Sequence, residues 1–122
     1  MYIVTDTEKY LNGNCNIFAV ALSKITNMKI GVFIEDRVCN YKVYDGLVHA
    51  FCFNGTLSDD SFVVDAAGSR PLKEIINEYN ITENIRFKIV TSDEVLDFGY
   101  TTTDTLEEAI RKAKKYIFEN IL

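Results

Sequence analysis

The stretch Leu47–Phe53, Leu-Val-His-Ala-Phe-Cys-Phe, is apolar at odd and even positions alike. Successive side chains of a strand point to opposite faces. A run with no polar face therefore predicts a central strand covered on both sides. Other strand signals lie nearby. Lys29–Glu35 (KIGVFIE) is rich in β-branched residues, Tyr41–Tyr44 reads as a short, weaker strand, and Ser61–Ala66 (SFVVDA) and Ile85–Val90 complete the set. Consecutive strands joined by short loops imply an antiparallel sheet.

Helical spacing appears at both ends. Phe18, Ala21, Leu22 and Ile25 form one apolar stripe after Asn12-Gly13-Asn14, with Asn14 placed to cap the helix and Asn27 where the pattern stops. Pro71 suits the first turn of a middle helix that runs to about Tyr79 and buries Leu72, Ile75 and Ile76. From about Thr105 a last helix carries Leu106, Ala109, Ile110, Ala113 and Ile117 on one side. Its other side sets Glu107 and Glu108 four residues before Arg111 and Lys112. Asn54–Asp60 reads as a turn-rich loop and Ser92–Thr103 as a long one, with Phe98 and Tyr100 as candidates to border a groove. The order gives an α+β fold in a single domain over 1–122, with the N-terminal helix packed on the sheet.

Composition narrows the function classes. The net charge is −5, from 13 basic and 18 acidic residues, and the only basic cluster, Arg111–Lys115, is interleaved with acidic neighbours. That speaks against a nucleic-acid face. No window approaches the roughly 18 apolar residues of a membrane span. The start MYIVTDTEKY has no basic segment followed by an apolar run, so no signal peptide and a cytoplasmic location are expected. Three cysteines without CxxC spacing, and a single His, predict reduced thiols, no structural metal and no cofactor.

Chemistry is expected where three residues converge. Cys15 falls in the first turn of a helix, where free amides and the helix dipole favour a thiolate. His49, the only histidine, supplies a base and proton donor. If Leu47–Phe53 and Ser61–Ala67 form an antiparallel hairpin pairing Phe53 with Ser61, then His49 faces Asp65, whose carboxylate would orient the ring. The Cys15 amide is a natural oxyanion donor, with the side chain of Asn12 or Asn14 as a second. Cys39 and Cys52 read as small buried hydrophobes.

Gly13-Asn14-Cys15 followed by Phe18-Ala19, then His49-Ala50-Phe51, then Phe62-Val63-Val64-Asp65-Ala66, resembles the transglutaminase-like branch of the papain-like superfamily. The likeness spans about residues 12–68. It implies a papain-like/transglutaminase-like core with Cys15 as nucleophile, His49 as general base and acid, and Asp65 as the orienting carboxylate. The chain has no Trp and no Gln. Phe51 and Phe62 stand where aromatic bulk is expected, and the upstream Gln of papain-type enzymes has no counterpart.

The expected function is therefore cysteine-dependent acyl transfer, most simply hydrolysis of an amide by a thiol protease, amidase or deamidase through a thioester at Cys15, on a protein or peptide substrate. The alternative is a non-catalytic binding or inhibitor module that keeps the fold.

Overall fold

Two long strands, β1 (Lys29–Cys39) and β2 (Lys42–Phe53), pair antiparallel as the spine of the fold. The computed structural model describes residues 15–96 and 106–120, with side chains up to residue 115. Asn12, Gly13, Asn14, Phe98, Tyr100 and the side chain of Ile117 lie outside the described residues.

Before β1 comes α1 (Cys15–Thr26). After β2 come β3 (Phe62–Asp65), β4 (Gly68–Pro71), α2 (Leu72–Glu78), β5 (Arg86–Val90), α3 (Ser92–Leu96) and α4 (Leu106–Asn120). The five strands form one antiparallel sheet in the order β4-β3-β2-β1-β5. The fold is α+β, with α1 packed on that sheet, and β2 is central as its two-sided apolar pattern requires.

Several boundaries differ from the expectations. Tyr41–Tyr44 is no separate strand: β2 runs unbroken from Lys42, because Asn40 (φ 52°) and Tyr41 (φ 65°) close a two-residue hairpin of the type that matches strand twist. Ser92–Leu96 is a short helix and not a loop. Thr91 and Glu94 cap its start reciprocally: the Glu94 amide donates to Thr91 Oγ1 at 3.2 Å and the Thr91 amide to Glu94 Oε1 at 3.1 Å. Gly68–Pro71 is a strand as well as a turn exit, and Pro71 precedes α2 in extended conformation.

The sheet separates two cores. On one side α1 packs over Ile30, Val32, Ile34, Leu47, Ala50, Cys52 and Val64, with Val95 of α3 and Ala109 and Ala113 of α4 joining it. The expected single stripe on α1 is too narrow. All residues from Cys15 to Leu22 are buried, because sheet, α3 and α4 enclose its first two turns. On the other side Phe33, Phe51, Phe53 and Val63 meet Leu72 and Ile75 of α2. Gly31 is needed here: a Cβ would stand 2.8 Å from the Phe87 ring and 2.9 Å from that of Phe51. Phe51 is fully buried, as the resemblance expects of aromatic bulk, but Phe62 is 63% exposed and fills no core position.

Where β2 reaches His49 its ladder is irregular. Phe33 pairs with His49 and Ile34 with Leu47, so Val48 is an extra residue, a β-bulge beside the only histidine. Such bulges bend the strand and raise its local twist.

Candidate active site

Asp65 ends β3, and a two-residue turn leads into β4, with Asp65 paired to Gly68 and Val63 to Arg70. The carboxylate fastens this turn itself: Oδ1 accepts the Ala67 amide at 2.9 Å. Oδ2 accepts from His49 Nε2 at 2.8 Å. The expected neighbours therefore meet, but in a different register. Cys52 pairs with Val64, which sets Asp65 opposite Phe51 and displaces it two residues from the expected partner of His49. A shift of two keeps both side chains on one face, so Asp65 reaches His49 along the diagonal.

Oδ2 has a second donor, Arg70 Nη2 at 2.6 Å. Arg70 Nη1 in turn donates to Glu78 Oε2 at the end of α2. Tyr79 follows directly and lies flat on the imidazole, with ring centroids 4.2 Å apart and planes at 18°. It is held there by the close of α2, where Asn80 turns left-handed (φ 53°) and the Ile81 amide returns to the Ile76 carbonyl at 2.9 Å. Neither Arg70 nor Tyr79 was indicated by sequence pattern. Once β4 is recognised as a strand, strand alternation alone puts Arg70 on the face of Asp65.

Cys15 opens α1, as expected, and is buried. It belongs to the core on the α1 side, while His49 stands in register with Phe33 of the opposite core, yet the thiol contributes to the electrostatics of the ring. Burial works to lower the His49 pKa, but hydrogen bonding to Asp65 and Cys15, and the negative charge each carries when ionised, outweigh it and raise the value. For Asp65, burial works upward and is outweighed by His49 and Arg70, which hold the carboxyl below its ordinary value. Burial, then the charges of Glu78, Cys15 and Asp65, raise the Tyr79 phenol, so it stays neutral over the ring.

Among the described residues, three buried polar atoms near this centre, Arg70 Nε among them, have no well-formed hydrogen bond. The others are His49 Nδ1, the ring nitrogen that Asp65 leaves open and where the interaction with the Cys15 thiol falls short of a well-formed hydrogen bond, and Asn16 Nδ2. Asn16 Oδ1 accepts the Ile17 amide at 2.9 Å, a bond that spends the side-chain oxygen and leaves its donor end free. Unpaired buried polar atoms are costly, and each calls for a reason.

The other cysteines divide. Cys52 is buried as expected. Its thiol donates to the Ala19 carbonyl at 3.2 Å, and burial pushes its pKa up to about 12. Cys39 is exposed, contrary to expectation, because β1 and β2 continue past the ends of their neighbours and carry it out near the hairpin tip. Among the described residues no group of three His, Cys, Asp or Glu could hold a metal ion, and no helix is long and apolar enough to cross a membrane.

Compared with protein-family models, curated proteins and solved structures, the chain has no significant match.

Proposed function

We propose that this chain is a cysteine-dependent acyl-transfer enzyme on a papain-like/transglutaminase-like core, hydrolysing an amide of a protein or peptide substrate. One observation carries the reading. The only imidazole is held through Nε2 by a carboxylate, its Nδ1 is buried with no well-formed hydrogen bond among the described residues, and the Cys15 thiol that interacts with the ring stands at a helix start. Nδ1 takes the Cys15 proton as sulfur attacks the acyl carbon, and returns it to the amine nitrogen as the C–N bond breaks. Water then attacks the thioester, gives its proton to Nδ1 and releases the acid, and the proton goes back to sulfur. The Cys15 amide is one donor to the oxyanion. Asn12 and Asn14, the expected side-chain donors, lie outside the described residues, and within those residues Asn16 Nδ2 is a further candidate.

A second reading has an observation in its favour. His49 is 0% exposed and Asp65 2%. A sealed His–Asp–Arg cluster of this kind also suits a binding module in which it is purely structural.

Iodoacetamide labelling of a Cys39→Ser background separates the two, since Cys52 is buried and protonated. The enzyme reading expects alkylation at Cys15 under native conditions, slowed at least tenfold or so by His49→Ala. Absence of label at Cys15, or a rate indifferent to His49, would favour the binding module.

A further inference from the structure

Asp65 Oδ2 accepts two hydrogen bonds, from His49 Nε2 at 2.8 Å and from Arg70 Nη2 at 2.6 Å, while Oδ1 is taken by the Ala67 amide. Arginine is a donor only and stays charged. A carboxylate that receives Arg70 on one side and a backbone amide on its other oxygen is held ionised, and so has no proton to offer. The hydrogen between Oδ2 and Nε2 then belongs to the nitrogen. A neutral imidazole has one N–H, so Nδ1 is left with its lone pair. That is the tautomer which can accept a proton from a thiol.

We infer that Arg70 is a positioning residue of this site: by gripping the Asp65 oxygen that faces His49, it fixes the ring proton on Nε2 and keeps Nδ1 open for Cys15. The purpose of this arrangement rests on the enzyme reading, whereas its measurement does not.

The guanidinium is placed at some cost. Among the described residues its Nε is buried without a hydrogen-bond partner, and its other amino group is spent on Glu78. A residue serving only to tie β4 to α2 could do so through Glu78 and leave Asp65 alone. Arg70 instead shares the oxygen used by the histidine. The charged and titratable groups around the ring are Cys15 from α1, Asp65 from β3, Arg70 from β4, and Glu78 and Tyr79 from the end of α2. Among these Arg70 is the one cation. Its removal leaves an unshared carboxylate free to turn, and takes away a positive charge that resists protonation of the ring.

The single histidine makes the test direct. Nitrogen-15 NMR of the ring in the full chain reports the neutral tautomer and the titration midpoint with no assignment ambiguity. In the parent chain the Nε2–H tautomer should dominate. Arg70→Met should mix the tautomers, a roughly tenfold change in their ratio, and move the midpoint upward. Arg70→Lys, which keeps the charge but loses the planar fork, should give a smaller change of the same sign. Glu78→Gln breaks only the outer pair and should leave the ring as it was.

A ring unchanged in a folded Arg70→Met chain overturns the inference, as does a Glu78→Gln effect as large as that of Arg70→Met. If Arg70→Met does not fold, a larger change in Arg70→Lys than in Glu78→Gln supports the inference, and the reverse order overturns it. A ring that responds in a chain whose Cys15 never labels would sink the enzyme reading and leave the positioning role standing. Labelling with an indifferent ring would do the opposite.

Discussion

Leu47, Ala50 and Cys52 of β2 face α1, whereas His49, Phe51 and Phe53 of the same strand face the opposite way, where α2 packs. The α1 side is mostly aliphatic, with Phe18 as its buried ring among the described residues, and its one thiol from the sheet is satisfied by a helix carbonyl. The α2 side sets a chain of polar groups, His49 to Asp65 to Arg70 to Glu78, among aromatic rings. Apart from Cys15, the first core depends chiefly on volume, since its apolar members serve by filling space. The second depends on identity, because removing one member of a buried polar chain strands the next. One strand therefore serves stability on one face and holds an imidazole in a set orientation on the other.

The largest expected effects test that distinction. Leu22→Ala, at a fully buried site on the α1 side, should cost about 2–5 kcal/mol in urea unfolding. Asp65→Asn should cost about 3–5 kcal/mol, because Arg70 and His49 lose their shared acceptor. The two costs are similar and their origins are not. In an Arg70→Met background the Asp65→Asn cost should shrink markedly, whereas the Leu22→Ala cost should persist. Equal persistence of both would erase the contrast between the two faces.

A smaller effect concerns pH. His49 binds its proton more tightly in the fold, so its contribution is complete below about pH 6.5 and is lost as pH rises through the folded value. Asp65 is held below its ordinary value, so its contribution is complete above about pH 3.9 and is lost as pH falls through the folded value. Both are present between about pH 4 and 6.5, where the urea midpoint should be highest. His49→Gln should flatten the fall on the alkaline side. Leu22→Ala should lower the whole curve without changing its shape.

The smallest effect lies on neither face. Tyr41 sits at the hairpin tip, fully exposed, with φ 65°. Tyr41→Gly should stabilise the chain by about 1 kcal/mol, by relieving a left-handed conformation that glycine adopts freely. It should leave Cys15 labelling unchanged. Thermal melts read the first expectation and mass spectrometry the second.

Much of this was legible in the sequence, for reasons particular to each part. The two-faced apolarity of Leu47–Phe53 identified the central strand, and the β-branched run after Lys29 identified its neighbour. The meeting of His49 with Asp65 survived a register error because the error was even, and only an odd slip turns a side chain over. β4 was illegible: Gly-Ser-Arg-Pro has no alternating apolar signal and contains two residues that punctuate loops. Arg70 was lost with it. Cys39 was misjudged because its burial depends on where neighbouring strands end, which local composition does not encode. The short helix α3 did leave a trace, the Thr91-to-Glu94 spacing that caps it, but five residues are too few for periodicity to show.

The extra residue in β2 has a consequence for sequence length. Were Val48 absent, Phe33–His49 and Ile34–Leu47 would become successive rungs, and no other side chain would change sides. Arithmetically the sheet could close without it. What the ladder would lose is the local wrench in the strand one step from the imidazole, so the aim of that ring, more than the order of the strands, is what this surplus residue governs.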